Sequence, residues 1–162
     1  MKIVIADTGA IISLIHLGKI DLIEEVFGDF YIAEAVWKEL NDYDYPGFDR
    51  SFLQNLRPKV GQIKSKNHLL MVMDSGESES VILYEELHAD FLLIDDNKAR
   101  ILAESLNVNC IGSLGLLIKA KQKGLVTELK PLFSKLIETR RYFSKRLLND
   151  LLLKIDETEF DS

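Results

Sequence analysis

Acidic residues placed directly after short apolar runs are the chemically suggestive feature of this sequence. Ile3-Val4-Ile5-Ala6 runs into Asp7, and Phe91-Leu92-Leu93-Ile94 runs into the pair Asp95-Asp96. Each run has the length and continuity of a buried strand. If the two strands lie parallel in one sheet, their acids emerge at the same edge, where open α/β sheets place their sites. Carboxylates gathered there repel, and each raises its neighbour's proton affinity unless a cation compensates. A hard divalent ion, Mg²⁺ or Mn²⁺, suits such oxygen ligands. Helix capping is the structural alternative for each acid alone: Asp7 before Thr8 or Gly9, and Asp95 or Asp96 before the next helix. Two strands ending in acid at one predicted edge favour the metal-binding reading for Asp7 and Asp95 together.

Two further acids fall where they can border a buried face. Glu39 lies one turn beyond Ala35 and Val36 in Ala35-Val36-Trp37-Lys38-Glu39-Leu40, on the helical side of a strand–helix unit. Glu77 opens a helix in Asp74-Ser75-Gly76-Glu77 and shares a stripe with Val81, Tyr84 and His88. Asp74 and Glu77 also have the spacing of an Asp-containing capping box. Ser113 follows the apolar run Cys110-Ile111 and Gly112, where it can cap a helix or lend a hydroxyl to the same edge.

The elements that must position these residues alternate. Strands are expected at 2–6, 30–32, 60–63, 91–94 and 108–111. Helices are expected at 8–17, 20–26, 33–41, 74–88, 97–106, 113–123, 125–139 and 142–155. This alternation reads as an α/β fold with a mainly parallel sheet. Residues 42–58, with Pro46 and Gly47, are the least regular and read as a loop or short helical insertion over the site. The expected domain covers residues 1–140. Residues 141–162 are expected to form a helical extension whose leucine-rich face packs on the domain or on a partner.

Composition narrows the classes. With 47% hydrophobic and 28% charged residues the chain is ordinary for a folded domain. No apolar run reaches the ~18 residues of a membrane helix, and Asp7 interrupts the N-terminal run before any signal-peptide cleavage site. One cysteine, Cys110, cannot form an internal disulfide; it reads as a structural thiol in a reducing cytoplasm. The net charge of −6 argues against a general nucleic-acid coat protein, but the charge is segregated. The first fifty residues hold ten acids and four bases, whereas Lys119–Arg146 holds nine Lys/Arg and two acids. An acidic edge beside a basic flank suits a polyanion held against metal ions; the alternative is that these lysines and arginines only solvate helix faces. His16, His68 and His88 lack metal-ligand spacing, and Gly76, Gly112 and Gly115 do not make a phosphate-binding loop.

At this point the residues resemble a known family. Ile3 through Leu14 resembles the opening strand–acid–helix of PIN domains, and Val36-Trp37-Lys38-Glu39-Leu40 resembles their second acidic motif. Gly76-Glu77-Ser78-Glu79 and Leu92 through Arg100 are similar to an uncharacterised branch close to VapC-type toxins. There a Gly-Glu pair precedes the central helix and an acidic pair precedes an Ala-Arg helix. Ile111-Gly112-Ser113-Leu114-Gly115 continues the likeness, which spans roughly residues 1–125. Two positions depart from the pattern: Ala33 stands where relatives often have Pro, and Glu77 or Glu79 replaces a helical Asp. The resemblance implies a three-layer α/β/α PIN-like fold. It implies that Asp7, Glu39, Glu77 and Asp95 are catalytic metal-site acids, with Asp96 competing for the last place, and that Ser113 contacts the site or phosphate. It further implies Mg²⁺- or Mn²⁺-dependent hydrolysis of RNA, with an antitoxin or a homodimer partner. A PIN-like module that binds nucleic acid or protein without cleaving is the alternative. A receiver-like phosphotransfer domain fits less well, because Ile111 runs into Gly112-Ser113 rather than a lysine.

Overall fold

The N-terminal apolar run becomes the middle of the sheet. In the computed structural model, which describes residues 1–141 and 143–161, β1 (Lys2–Ala6) pairs in parallel with β2 (Gly28–Ala33) on one side and β4 (Phe91–Leu93) on the other. Beyond them lie β3 (Val60–Gly61) and β5 (Cys110–Ile111), giving a parallel sheet of order β3-β2-β1-β4-β5. A strand with neighbours on both edges and helices on its faces must be apolar throughout; Val4, Ile5 and Ala6 are fully buried. The register Ala6↔Leu93 brings the next residues of β1 and β4 to one carboxyl edge.

Helices flank the sheet. The first, α1 (Thr8–Leu17), is buried continuously from Ala10 to Ile15 and so is apolar nearly all round. It stops at Gly18, whose φ of 64° lets its N–H reach Ile15 O. The others are α2 (Leu22–Phe27), α3 (Glu34–Asp42), α4 (Ser75–Glu86), α5 (Asn97–Ser105), α6 (Ser113–Gln122), α7 (Lys130–Glu138) and α8 (Lys145–Lys154). The α4 helix lies against β1, β2, β4 and α3, while α7 packs on α1 through fully buried Phe133 and Leu136. Among the described residues no helix is long and apolar enough to cross a membrane.

Three regions differ from expectation. Residues 42–58 do not cover the acidic edge. Their latter part enters a 3-10 helix (Arg50–Lys59) that buries Leu53 and Leu56 and leads into β3 at the sheet's far side. The helix expected from 125 begins only at Lys130, because Gly124 turns the chain at φ 76° and Pro131 sits in the first turn, where its missing N–H leaves no bond unmade. The expected start of the last helix at Tyr142 lies outside the described residues, as does Ser162. The described α8 begins after Ser144, whose Oγ accepts from Leu147 N at 3.1 Å. Its Leu148 and Leu152 are fully buried, and α8 contacts α7. The tail returns too: Glu157 accepts from Leu129 N and Lys130 N, each at 2.9 Å, and from Lys121 Nζ at 2.6 Å.

Candidate functional site

The carboxyl edge of the sheet opens into a cavity of about 420 Å³ lined by Asp7, Thr8, Gly9, Glu39, Asp74, Glu77, Asp95, Asp96, Asn97, Arg141 and Phe143. Every acid singled out from the sequence, Asp7, Glu39, Glu77, Asp95 and Asp96, lines it. They arrive from four segments: the end of β1, the second turn of α3, the start of α4 and the stretch after β4.

Asp7 sits deepest. Its backbone N–H continues the sheet by donating to Leu93 O at 2.9 Å, and its side chain is only 6% exposed. It occupies the N-cap position of α1 yet makes no side-chain cap bond, so capping does not explain it. The nearest polar side chain is that of Ser80, whose hydroxyl donates to Gly76 O at 2.7 Å and lies 3.4 Å from Asp7 Oδ1. Burial raises the Asp7 pKa from the usual 3.8 to about 8; the Thr8 N–H opposes this, and the charges of Glu77, Glu39 and Asp74 add to it.

Glu39 is held by two neighbours. Thr8 Oγ1 donates to Oε2, and Gly76 N donates to Oε1 at 3.1 Å. The second contact requires glycine, since a Cβ at position 76 would stand 2.5 and 2.6 Å from the two carboxylate oxygens. Asp74 caps α4 by accepting from Glu77 N at 2.9 Å. Glu77 is raised to about 7, first by burial and then by the charges of Asp74 and Asp96, against a pull from the Asp74 N–H. The capping-box reading and the site reading thus hold together: the same pair builds the helix start and lines the cavity. Glu79 is excluded from the site, because its Oε1 turns to Ala35 N at 3.3 Å on α3.

Beyond β4 the two acids divide their work. Asp96 caps α5, accepting from Ala99 N at 2.8 Å. Asp95 accepts from Ser113 N and Ser113 Oγ, both at 2.7 Å. Burial raises the Asp95 pKa; the two Ser113 donors and the charges of Arg141 and Arg100 work against that rise. Ser113 itself is fully buried and stands behind Asp95, outside the cavity lining. Of the two expected contacts, with the site or with phosphate, the structure shows the first: the Ser113 hydroxyl donates to the Asp95 carboxylate and positions it.

The donor set is one that a hard divalent cation would take. Asp7 and Glu77 are pushed toward protonation by burial and by neighbouring carboxylates, a penalty that positive charge would relieve. Among the described residues, no group of three or more His, Cys, Asp or Glu side chains stands close enough together to hold a metal ion between them. The chemistry of the donors suits a hard cation, whereas their spacing in this structure does not assemble a site.

Sequence reasoning did not place Arg141, Phe143 or Asn97 in the cavity. Arg141 reaches α1 from far along the chain, donating from Nε to Ser13 Oγ at 2.9 Å and from Nη2 to Gly9 O at 3.1 Å. The basic flank was the only trace of it. The histidines stay outside: His16 is ringed by Tyr43, Tyr45 and Phe48. Phe30 is core, Trp37 packs under Arg57, and Cys110 is a half-buried thiol raised to about 11 by burial.

A parallel sheet whose carboxyl edge gathers acids from four chain segments defines the architecture of a PIN fold. Comparison with known families agrees. Residues 3–157 match DUF3368, a PIN-domain family, and the chain belongs to it. No curated protein matches the chain in sequence.

Proposed function

We propose that the protein is a Mg²⁺- or Mn²⁺-dependent ribonuclease hydrolysing RNA phosphodiester bonds. Nuclease activity and divalent-metal binding are typical of PIN domains, and this chain belongs to that family. The observation that carries the reading is the convergence of Asp7, Glu39, Glu77, Asp95 and Asp96 on one cavity with Asp7 buried and uncapped. Asp7 and Glu77 would hold the ion, with Glu39, Asp95 and Asp96 lining the same cavity. A divalent ion bound there supplies Lewis acidity: it lowers the pKa of a bound water and offsets charge on the phosphate. The protein's own part is positional. Thr8 and Gly76 fix Glu39, Ser113 fixes Asp95, and the Asp74 cap fixes the first turn of α4 that carries Glu77. With the ion balancing part of the negative charge, Asp7 and Glu77 remain ionised at neutral pH.

The test is cleavage of varied single-stranded RNAs by purified protein with Mg²⁺ or Mn²⁺, beside Asp7→Asn and Glu77→Gln. Metal-dependent cleavage lost in both variants supports the proposal. Equal residual cleavage by all three proteins points to a contaminant and removes it. The open arrangement of the acids supports a second reading, an RNA- or protein-binding module without hydrolytic activity. It predicts RNA retention with no cleavage at any metal concentration. In the toxin–antitoxin form of the first reading, a partner would dock on exposed Leu147 and Leu153 of α8; co-expression with the neighbouring gene product and co-purification tests it.

A further inference from the structure

Arg141 has a setting that helix packing does not account for. Its backbone is pinned at the end of α7, with Arg140 at φ 54°, Arg141 N donating to Leu136 O at 3.0 Å and Phe143 N donating to Arg141 O at 2.8 Å. Its side chain crosses to α1, where it meets two neutral acceptors, the fully buried Ser13 hydroxyl and the Gly9 carbonyl. A neutral amide could make the same two bonds. The guanidinium nevertheless lines a cavity holding Asp7, Glu39, Asp74, Glu77, Asp95 and Asp96. Among the described residues, no ion pair joins it to any of them.

Two of its five N–H donors are spent on α1, and its charge acts on Asp95 without a direct ion pair, so the fork is locked in place with donors left for a ligand. A group that is fixed, planar, cationic and beside a cluster suited to metal has the chemistry to take a phosphate oxygen. Exposed Arg140 on the same linker, and exposed Lys145 and Arg146 at the start of α8, are its cationic neighbours along the chain. Phe143, half-buried on the same wall, presents an apolar surface to an unstacked base, which favours single-stranded over duplex RNA.

From this geometry we infer that Arg141 is the anion-binding residue of the cavity, holding a phosphate of single-stranded RNA beside the carboxylates. The inference rests on the ribonuclease reading for the identity of the polyanion, not for the presence of the anion site. The experiment is fluorescence anisotropy of a short fluorescein-labelled single-stranded RNA in Ca²⁺ buffer over a salt series, with RNA integrity checked on a gel. Wild type, Arg141→Gln and Ser13→Ala are compared; Arg141→Met replaces the Gln variant if that one does not fold. Loss of one phosphate contact lowers the slope of log Kd against log salt by about 0.7 for a single strand. That drop is expected in the Arg141 variant and not in Ser13→Ala, which removes one of the two bonds to α1 but keeps the charge. Equal slopes in wild type and the Arg141 variant, equal effects of the two substitutions, or no binding by wild type would overturn the inference. Separate cleavage assays keep the two proposals apart. A slope change without cleavage leaves the Arg141 site standing and removes the ribonuclease, and cleavage with unchanged slopes does the reverse.

Discussion

Replacing Asp7 by Asn removes the ionisable group that the fold most opposes, so the metal-free protein should become more stable. The sign follows from the direction of the shift. The folded state holds the Asp7 proton more tightly than the unfolded chain does, from the usual 3.8 up to about 8. Below 3.8 the carboxyl is neutral in both states and the two proteins differ little. As pH rises toward 8, wild type loses stability relative to the variant by about 1.4 kcal/mol per pH unit. The full interval sets a ceiling of about 6 kcal/mol. Water entering the cavity reduces it, to about 3 kcal/mol at pH 8. For a chain of this size that is roughly 6–12 °C in Tm. Urea unfolding of both proteins in EDTA at pH 5 and pH 8 measures it. Adding Mn²⁺ should close most of the gap at pH 8, since an ion at a hundredfold excess over its Kd stabilises wild type by about 2.7 kcal/mol, and the neutral amide of the variant weakens that ligand set. A gap between the proteins that does not change with pH, or a uniform loss of stability in Asp7→Asn, refutes the buried-carboxylate argument.

Two other substitutions probe how the site and the tail are held. Gly76→Ala places a Cβ within 2.5 Å of the Glu39 carboxylate and should displace it. Alanine's helix preference, worth about 1 kcal/mol, offsets part of the lost bond, so Tm should change by a few degrees while Mn²⁺ affinity falls about 10- to 100-fold; unchanged affinity in a calorimetric titration would show that Glu39 is not needed. Glu157→Gln should cost about 1.5–3 kcal/mol near neutral pH, the worth of charge-assisted bonds to Lys121 and the start of α7. Those bonds hold the Glu157 pKa below its usual value, with burial opposing them. The stability is therefore full above the unfolded pKa and disappears as pH falls through the folded one. Urea midpoints of the two proteins should converge in acid, and a gap that persists there would contradict the assignment.

The parts of the molecule that were legible in the sequence share one property: they depend on local pattern. A continuous apolar run that stops at Asp7, and another that stops at Asp95, mark buried parallel strands whatever surrounds them. The acidic edge followed from strand direction alone. Glu39 and Glu77 needed the family resemblance, because a glutamate near a helix end has many equivalent destinations. Sequence could not choose between Glu77 and Glu79, since the choice lies in α3: Ala35 N captures Glu79 and leaves Glu77 to the cavity. Nor could it tell whether Asp7 was a cap, which depended on a bond that the folded chain does not make.

Determined by the sequence itself were the alternation of elements, the parallel sheet and the emergence of acids at its carboxyl edge, because side-chain periodicity and strand direction act over a few residues. Decided only by the tertiary structure were the burial that makes Asp7 a reluctant anion, the seat of Glu39 against Gly76, the retreat of Ser113 behind Asp95 and the arrival of Arg141. Each joins segments distant in the chain, 132 residues apart for Arg141 and Gly9. Such contacts are set by how α7 packs on α1 and α3 on α4, and short-range pattern carries no record of that packing.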